Sequence, residues 1–375
     1  MFIKWVVTLC LSLFLLNTAF ATVVQSDTEN QLADRYPFFG MASYLNQVNY
    51  FLLDAGELLP LKFENEFILN KGEQFVAIGR FNILLIKDSE VRIEKVDERL
   101  KITSTSDRTV SVQDNLTGKN NLSAIDANIS ELRYTQLWWP IAQLAKGVEW
   151  LLIKIHWATH LSWGLSLAVF AVLIKVLLLP ASWLTTRFQN QTAYVQSKLN
   201  PKLAVIKKSY KGEEAHNRIM AAHKELGVTP FYSLKPSLGF FIQVPVFIAI
   251  FNALGEMPQF VGQEFLWIKN LAYPDAVFSL GFTIPWLGNT FNLTPFLMAV
   301  TAIVAALTYK LEHVDHVTLK AKRRQLVYMG IVFLILFFPF PAAMTFYWFL
   351  ANVLQLIEQN VRYFRRTGKL SRESS

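Results

Sequence analysis

Two kinds of periodicity divide the chain. Between about Asp27 and Arg133, apolar and polar residues alternate in short runs: Phe75-Val76-Ala77-Ile78, Asn82-Ile83-Leu84-Leu85-Ile86, Val91-Arg92-Ile93-Glu94 and Leu100-Lys101-Ile102-Thr103. Period-two runs separated by turn residues (Lys71-Gly72, Asp114-Asn115, Gly118-Lys119) predict a small antiparallel β domain over residues 27–135. Beyond it the apolar runs lengthen. Residues 137–157 interleave Trp138, Trp139 and Trp150 with Lys146, Glu149 and Lys154, the pattern of a helix lying at a membrane surface. Five long apolar segments come next, at about 162–183, 237–254, 293–309, 326–339 and 342–357, the last two separated only by Phe338-Pro339-Phe340-Pro341. Each approaches the ~20 residues that cross ~30 Å of hydrocarbon, the shorter ones needing a locally thinner bilayer. The expected fold class is mainly α: a polytopic helical membrane protein with a five-span core and a small extracytoplasmic β domain.

Residues 185–235 break the apolar pattern with a different one. Leu199, Leu203, Ile206 and Tyr210 recur every three to four positions, Lys211-Gly212 turns, and Ile219, Ala222 and Leu226 recur again. An antiparallel helical hairpin with its lysines outward is expected. At the other end, residues 1–24 carry Lys4, an apolar run and Ala19-Phe20-Ala21, which fits either a cleaved secretory signal or a retained transmembrane anchor. Either one exports the β domain.

Composition sharpens this picture. The chain is 53% hydrophobic and only 17% charged, yet its net charge is +8. Lys and Arg crowd into the 185–235 hairpin, the stretch Lys320-Ala321-Lys322-Arg323-Arg324 and the tail over 362–375, whereas residues 256–292 hold Glu256, Glu264 and Asp275 against Lys269 alone. The positive-inside rule then places hairpin, second loop and tail in the cytoplasm, and the β domain and the 258–292 loop outside. Every span alternates without conflict. The single cysteine, Cys10, excludes an intrachain disulfide or a cysteine metal site. The Asn-x-Ser/Thr triplets at Asn115, Asn121 and Asn128 read as chance matches in a polar loop.

Lys175 carries the sharpest chemical signal. It sits in the middle of Ala171-Val172-Leu173-Ile174-Lys175-Val176-Leu177-Leu178, where a cation costs roughly 2.5–3.5 kcal/mol on insertion scales and normally faces a polar interior or a wet cavity. Gly164, Ala168, Ala171, Lys175 and Ser182 share a small, polar helix face. The alternative is snorkelling to the headgroups, but Trp183 lies about 12 Å further along the helix, beyond the reach of a lysine stem. Gln243 and Pro245 place an amide and a helix breaker within the second span, and Asn352 and Gln355 share a face of the last. Asn352 and Gln355 either line the cavity of Lys175 or bond between helices. No zinc-protease, phosphate-loop or nucleophile-elbow motif occurs. Gly164-Leu165-Ser166 lacks a paired histidine in another span, and Glu312, His313, Asp315 and His316 read as a solvated turn rather than a metal site.

Taken in order, Trp163-Gly164-x-Ser166, a cation five residues before Pro180, Asn200-Pro201-Lys202 in a basic hairpin, Ile242-Gln243-x-Pro245-x-Phe247, and Pro341 followed by Tyr347-Trp348 and Asn352 resemble the core of the YidC/Oxa/Alb family of membrane-protein insertases. The resemblance covers about residues 138–366. It implies a groove open to cytoplasm and lipid whose cation attracts the polar or acidic tail of a client, with Lys175 as that cation and Gln243, Trp348 and Asn352 as groove neighbours. It implies no enzymatic reaction, cofactor or metal, and a bacterial inner-membrane location. Expected partners are newly made membrane proteins and lipid, with the Sec translocon and the ribosome as further candidates. Three departures stand out: lysine replaces the usual arginine, Ala171 replaces a threonine one turn earlier, and Trp348 replaces a tyrosine. The outer domain is also small for the family's Gram-negative members. An assembly chaperone without autonomous insertion is the alternative function, and a small-solute transporter a weaker one because no internal repeat is evident.

Overall fold

A computed structural model describes residues 38–54, 57–62, 66–70, 72–86, 91–96, 99–104, 116–118, 134, 137–235, 237–309 and 316–373. The signal or anchor at 1–24, the asparagines Asn115, Asn121 and Asn128 of the glycosylation triplets and the 312–315 turn lie outside these residues. The described chain is mostly helical with a β domain. Its described residues divide into two compact units, one holding those within 1–150, 252–293 and 336–344, the other those within 151–251, 294–335 and 345–375.

In the first unit, strands β1 (Asn49–Asp54), β2 (Glu57–Pro60), β4 (Gln74–Ile78), β5 (Asn82–Ile86) and β8 (Leu116–Gly118) form an antiparallel sheet in the order β2-β1-β4-β5-β8. Strands β3 (Glu66–Leu69), β6 (Val91–Val96) and β7 (Arg99–Ser104) form a second, ordered β3-β6-β7. The alternation expected for β4 and β5 gives way to burial on both faces. Phe75, Ala77, Leu84 and Ile86 pack on Leu69 and Ile93 of the other sheet, while Val76, Ile78, Ile83 and Leu85 gather with Leu53 on the opposite side. A central strand needs apolar residues on both faces, so its runs are continuous rather than alternating.

Arg80, in the β4–β5 turn, is buried. Its Nε donates to the Gly255 carbonyl at 2.7 Å and its Nη2 to the Ala272 carbonyl at 2.8 Å, and the guanidinium lies over the rings of Phe38 and Phe81. The 258–292 segment, read from sequence as a loop, contains a hairpin of β9 (Phe278–Ile284) and β10 (Gly288–Phe291), with Phe278 stacked on Phe291. Asn292 closes this region, donating to the Phe338 carbonyl at 2.7 Å and accepting from the Ala276 amide at 3.1 Å.

The helices are α1 (Trp139–Thr159), α2 (Trp163–Ser209), α3 (Gly212–Glu225), α4 (Ser237–Glu256), α5 (Leu293–Thr308), α6 (His316–Phe337) and α7 (Ala342–Glu373). The expected first span and the first arm of the hairpin prove to be one helix, α2, with Pro180 and Pro201 inside it. Among the described residues, α2 is the one helix long and apolar enough to cross a membrane, and Gln243–Glu256 and Leu293–Thr308 are shorter apolar helical stretches. The shortfall has physical causes. The 16 residues of α5 reach about 24 Å at 1.5 Å per residue. In α6 the cationic cluster over 320–324 leaves only 326–337 apolar.

Candidate functional site

The site lies in the second unit and begins with α2. Ser162 caps this helix by accepting from the Leu165 amide. Leu167, Phe170, Ala171 and Ile174 are buried, whereas Val169, Val172, Val176 and Leu177 are exposed. The inward face is therefore bulkier than the small-residue stripe expected from sequence. Lys175 stands at its edge, its side chain 19% exposed. Its Nζ donates to Gln355 Oε1 at 2.5 Å and lies 2.6 Å from Glu358 Oε2.

Glu358 was not among the residues singled out from the sequence, yet it organises the cluster. Ser182 Oγ donates to its Oε1 at 2.9 Å, and Arg362, one turn along α7, forms a close ion pair with the same carboxylate. Arg362 also donates through Nη2 to Ser182 Oγ at 2.8 Å and through Nη1 to Thr186 Oγ1. Two cations thus share one carboxylate that is only 8% exposed. Each ion in the cluster has a partner, and removing one would leave a buried charge uncompensated. The available signal was spacing: Asn352, Gln355, Glu358 and Arg362 continue one polar stripe at three- and four-residue intervals past the end of the apolar run.

Lys175, Gln243, Trp348 and Asn352 all line one cavity of about 250 Å³, together with Ala171, Ser182, Tyr347 and Gln355. A second cavity of about 380 Å³ shares Ser182, Gln243, Trp348, Asn352 and Gln355 and extends to Thr185, Thr186, Gln189 and Gln359. Asn352 does what both sequence alternatives allowed: it lines the cavities, and its Nδ2 donates to the Met298 carbonyl at 3.1 Å. Trp348 is held edge-on to Phe247, with ring centroids 4.7 Å apart, and against Phe333. Gln359 Oε1 is buried with no hydrogen-bond partner in protein, and its residue lines the larger cavity. The lining of the smaller cavity is mixed: Lys175, Ser182, Gln243, Asn352 and Gln355 supply polar groups, while Ile174, Leu178, Val246, Phe247 and Ile250 supply apolar walls.

The hairpin is built as its periodicity indicated. Leu199, Ala222 and Tyr232 form a buried core, flanked by Val195, Leu203, Ile206, Leu226 and Val228. Glu213 and Glu214 occupy the first turn of α3 and Lys224 its last, each favourable to the helix dipole. Burial pushes the Tyr232 hydroxyl above its usual range. Lys198, Lys207, Lys208 and Lys211 remain exposed. Ser166 departs from expectation in one respect: His156 does lie beside it, Nδ1 3.5 Å from Oγ. The hydroxyl is fully buried and donates to the Ser162 carbonyl at 3.0 Å, so it is a satisfied helix serine rather than an accessible nucleophile. Among the described residues, no cluster of His, Cys, Asp and Glu has the makings of a metal site.

Comparison with known proteins gives this geometry a family. Residues 154–368, more than half of the 375-residue chain, match the family model described as 60Kd inner membrane protein. The membrane protein insertase YidC of Janthinobacterium sp. (strain Marseille) is 30% identical over 218 residues, covering 58% of this chain and 36% of that protein. The insertase YidC of Chlamydia caviae is 30% identical over 204 residues, 53% of this chain and 25% of that protein. The chain thus spans well under half the length of the curated relatives it matches. A crystal structure of an active YidC insertase, with its first transmembrane domain resolved, aligns at TM-score 0.39 and 16% identity over 82% of this chain and 78% of that one.

Proposed function

This chain belongs to the 60Kd inner membrane protein family, the YidC/Oxa/Alb insertases, and on that basis we propose that it moves hydrophobic segments and short polar tails of client proteins into or across the bacterial inner membrane. The single observation that carries the proposal is the convergence of Lys175, Gln243, Trp348 and Asn352 on one cavity. A polar tail entering it exchanges water for amides, hydroxyls and a cation, which shortens the hydrocarbon it must cross. The client's apolar span then leaves for lipid, and its burial drives the process without a nucleotide. The exposed apolar side of α2, with Val172, Val176 and Leu177, fits the wall along which that span would slide.

In this reading residues 162–183, 237–254, 293–309, 326–339 and 342–357 are the five spans, 137–157 lies at the outer interface, and 27–135 is periplasmic. The basic hairpin and tail are cytoplasmic, suited to anionic lipid and to nascent chains or ribosomal RNA. The test is insertion of a single-span client with a short acidic outer tail into proteoliposomes holding this protein alone. Protease protection of the tail above empty liposomes is expected. No protection by folded, correctly oriented protein would overturn autonomous insertion and favour an assembly chaperone.

A further inference from the structure

If the groove cation exists to attract an acidic client residue, its setting here poses a chemical difficulty: the cation already has a carboxylate 2.6 Å away. Glu358 is not a casual neighbour. It is nearly buried, it accepts from Ser182, and it is paired with Arg362 from the same helix as well as with Lys175 from α2. Arg362 in turn is tied to Ser182 and Thr186, so it stays in place whether or not Lys175 does. We propose that Glu358 is the specificity-determining residue of the groove, a resident counter-ion that occupies Lys175 until a carboxylate of the client replaces it. The inference rests on the insertase reading above.

The exchange is balanced in charge. Before it, Lys175 and Arg362 share Glu358, leaving one net positive charge. Afterwards Lys175 is paired with the client carboxylate and Glu358 with Arg362, and no ion is left alone. A neutral tail gains no such pair and leaves Lys175 with Glu358. Because the client competes with a resident carboxylate, the preference for acidic over neutral tails is weaker than a bare cation would give, and it is set by Glu358 rather than by Lys175 alone.

The experiment measures binding and insertion of two clients that differ only in an Asp or an Asn in the outer tail. Affinity is read by crosslinking to the purified full-length protein, and insertion by protease protection in proteoliposomes. Replacing the counter-ion in Glu358→Gln should raise the Asp-to-Asn affinity ratio by about fivefold, the size of one partly screened charge pair. The double variant Glu358→Gln with Lys175→Gln, which again carries one net positive charge, should return the ratio toward wild type. If Glu358→Gln does not fold, Glu358→Asp keeps the charge but withdraws it by one methylene, and a smaller rise in the ratio is expected. A purely structural Glu358 would weaken both clients alike with the ratio unchanged in either variant, and that result would overturn the proposal. Wild-type protein that binds both tails but inserts neither would sink the insertase reading while the affinity ratio still decides the exchange.

Discussion

Leu199→Ala tests whether the cytoplasmic hairpin is an ordered unit. Leu199 is fully buried and forms one core with Ala222 and Tyr232. Truncating such a leucine costs about 2–5 kcal/mol, from lost transfer energy and the cavity left behind. The partner helix α3 has only 14 residues, a length at which a helix is marginal alone, so its order depends on this contact. A loss of about 3 kcal/mol raises the population of the open hairpin by about a hundredfold. Hydrogen exchange read by mass spectrometry on peptides covering 212–232 should accelerate by that factor, with peptides from α5 unchanged. Val205→Ala is the control, since Val205 is 63% exposed on the same arm. Exchange within twofold of wild type for Leu199→Ala, or equal acceleration by Val205→Ala, would refute the packing.

Two further outcomes concern the first unit. Arg80→Met removes both charged hydrogen bonds to the Gly255 and Ala272 carbonyls and should cost about 3–5 kcal/mol, read as faster exchange in 74–86 and 270–274; unchanged exchange would show that the guanidinium is dispensable. Gly40→Ala introduces a Cβ 2.6 Å from the Trp286 carbonyl at a residue with φ +54°. At about 1–2 kcal/mol for the left-handed conformation alone, with the clash added, it should lower thermal stability and expose the β9–β10 hairpin to protease, whereas full tolerance would contradict the close approach.

How much of the fold and site is legible in the sequence depends on how local each signal is. The hairpin was legible because Leu199, Leu203 and Ile206 repeat along one helix face and need only their own neighbours to be recognised. That Lys175 would face a cavity was legible because a cation amid valines and leucines has few tolerable environments. Glu358 was missed because it stands beyond the apolar run of α7, where a glutamate reads as solvated; only the fold brings it to Lys175. Arg80 was missed for the same reason, a lone arginine beside a glycine looking like any turn charge while its partners lie far along the chain. The β9–β10 hairpin escaped because Gly281 interrupts its first strand and the turn places Trp286 at φ 73°, where a non-glycine residue is uncommon. Strands β4 and β5 were found, but their two-sided burial was not, since alternation and continuous apolarity look alike over five residues.

The central claim, that a client's polar tail occupies the cavity beside Lys175, is tested most directly by photo-crosslinking during insertion. A photoreactive residue at Gln243, Trp348 or Asn352 should capture the tail of a stalled single-span client, while one at the exposed positions Val172 or Val176 should capture its apolar span or lipid. Capture of the tail with equal yield from all five positions, or from none of the three cavity positions while the client is inserted, would contradict passage through this site.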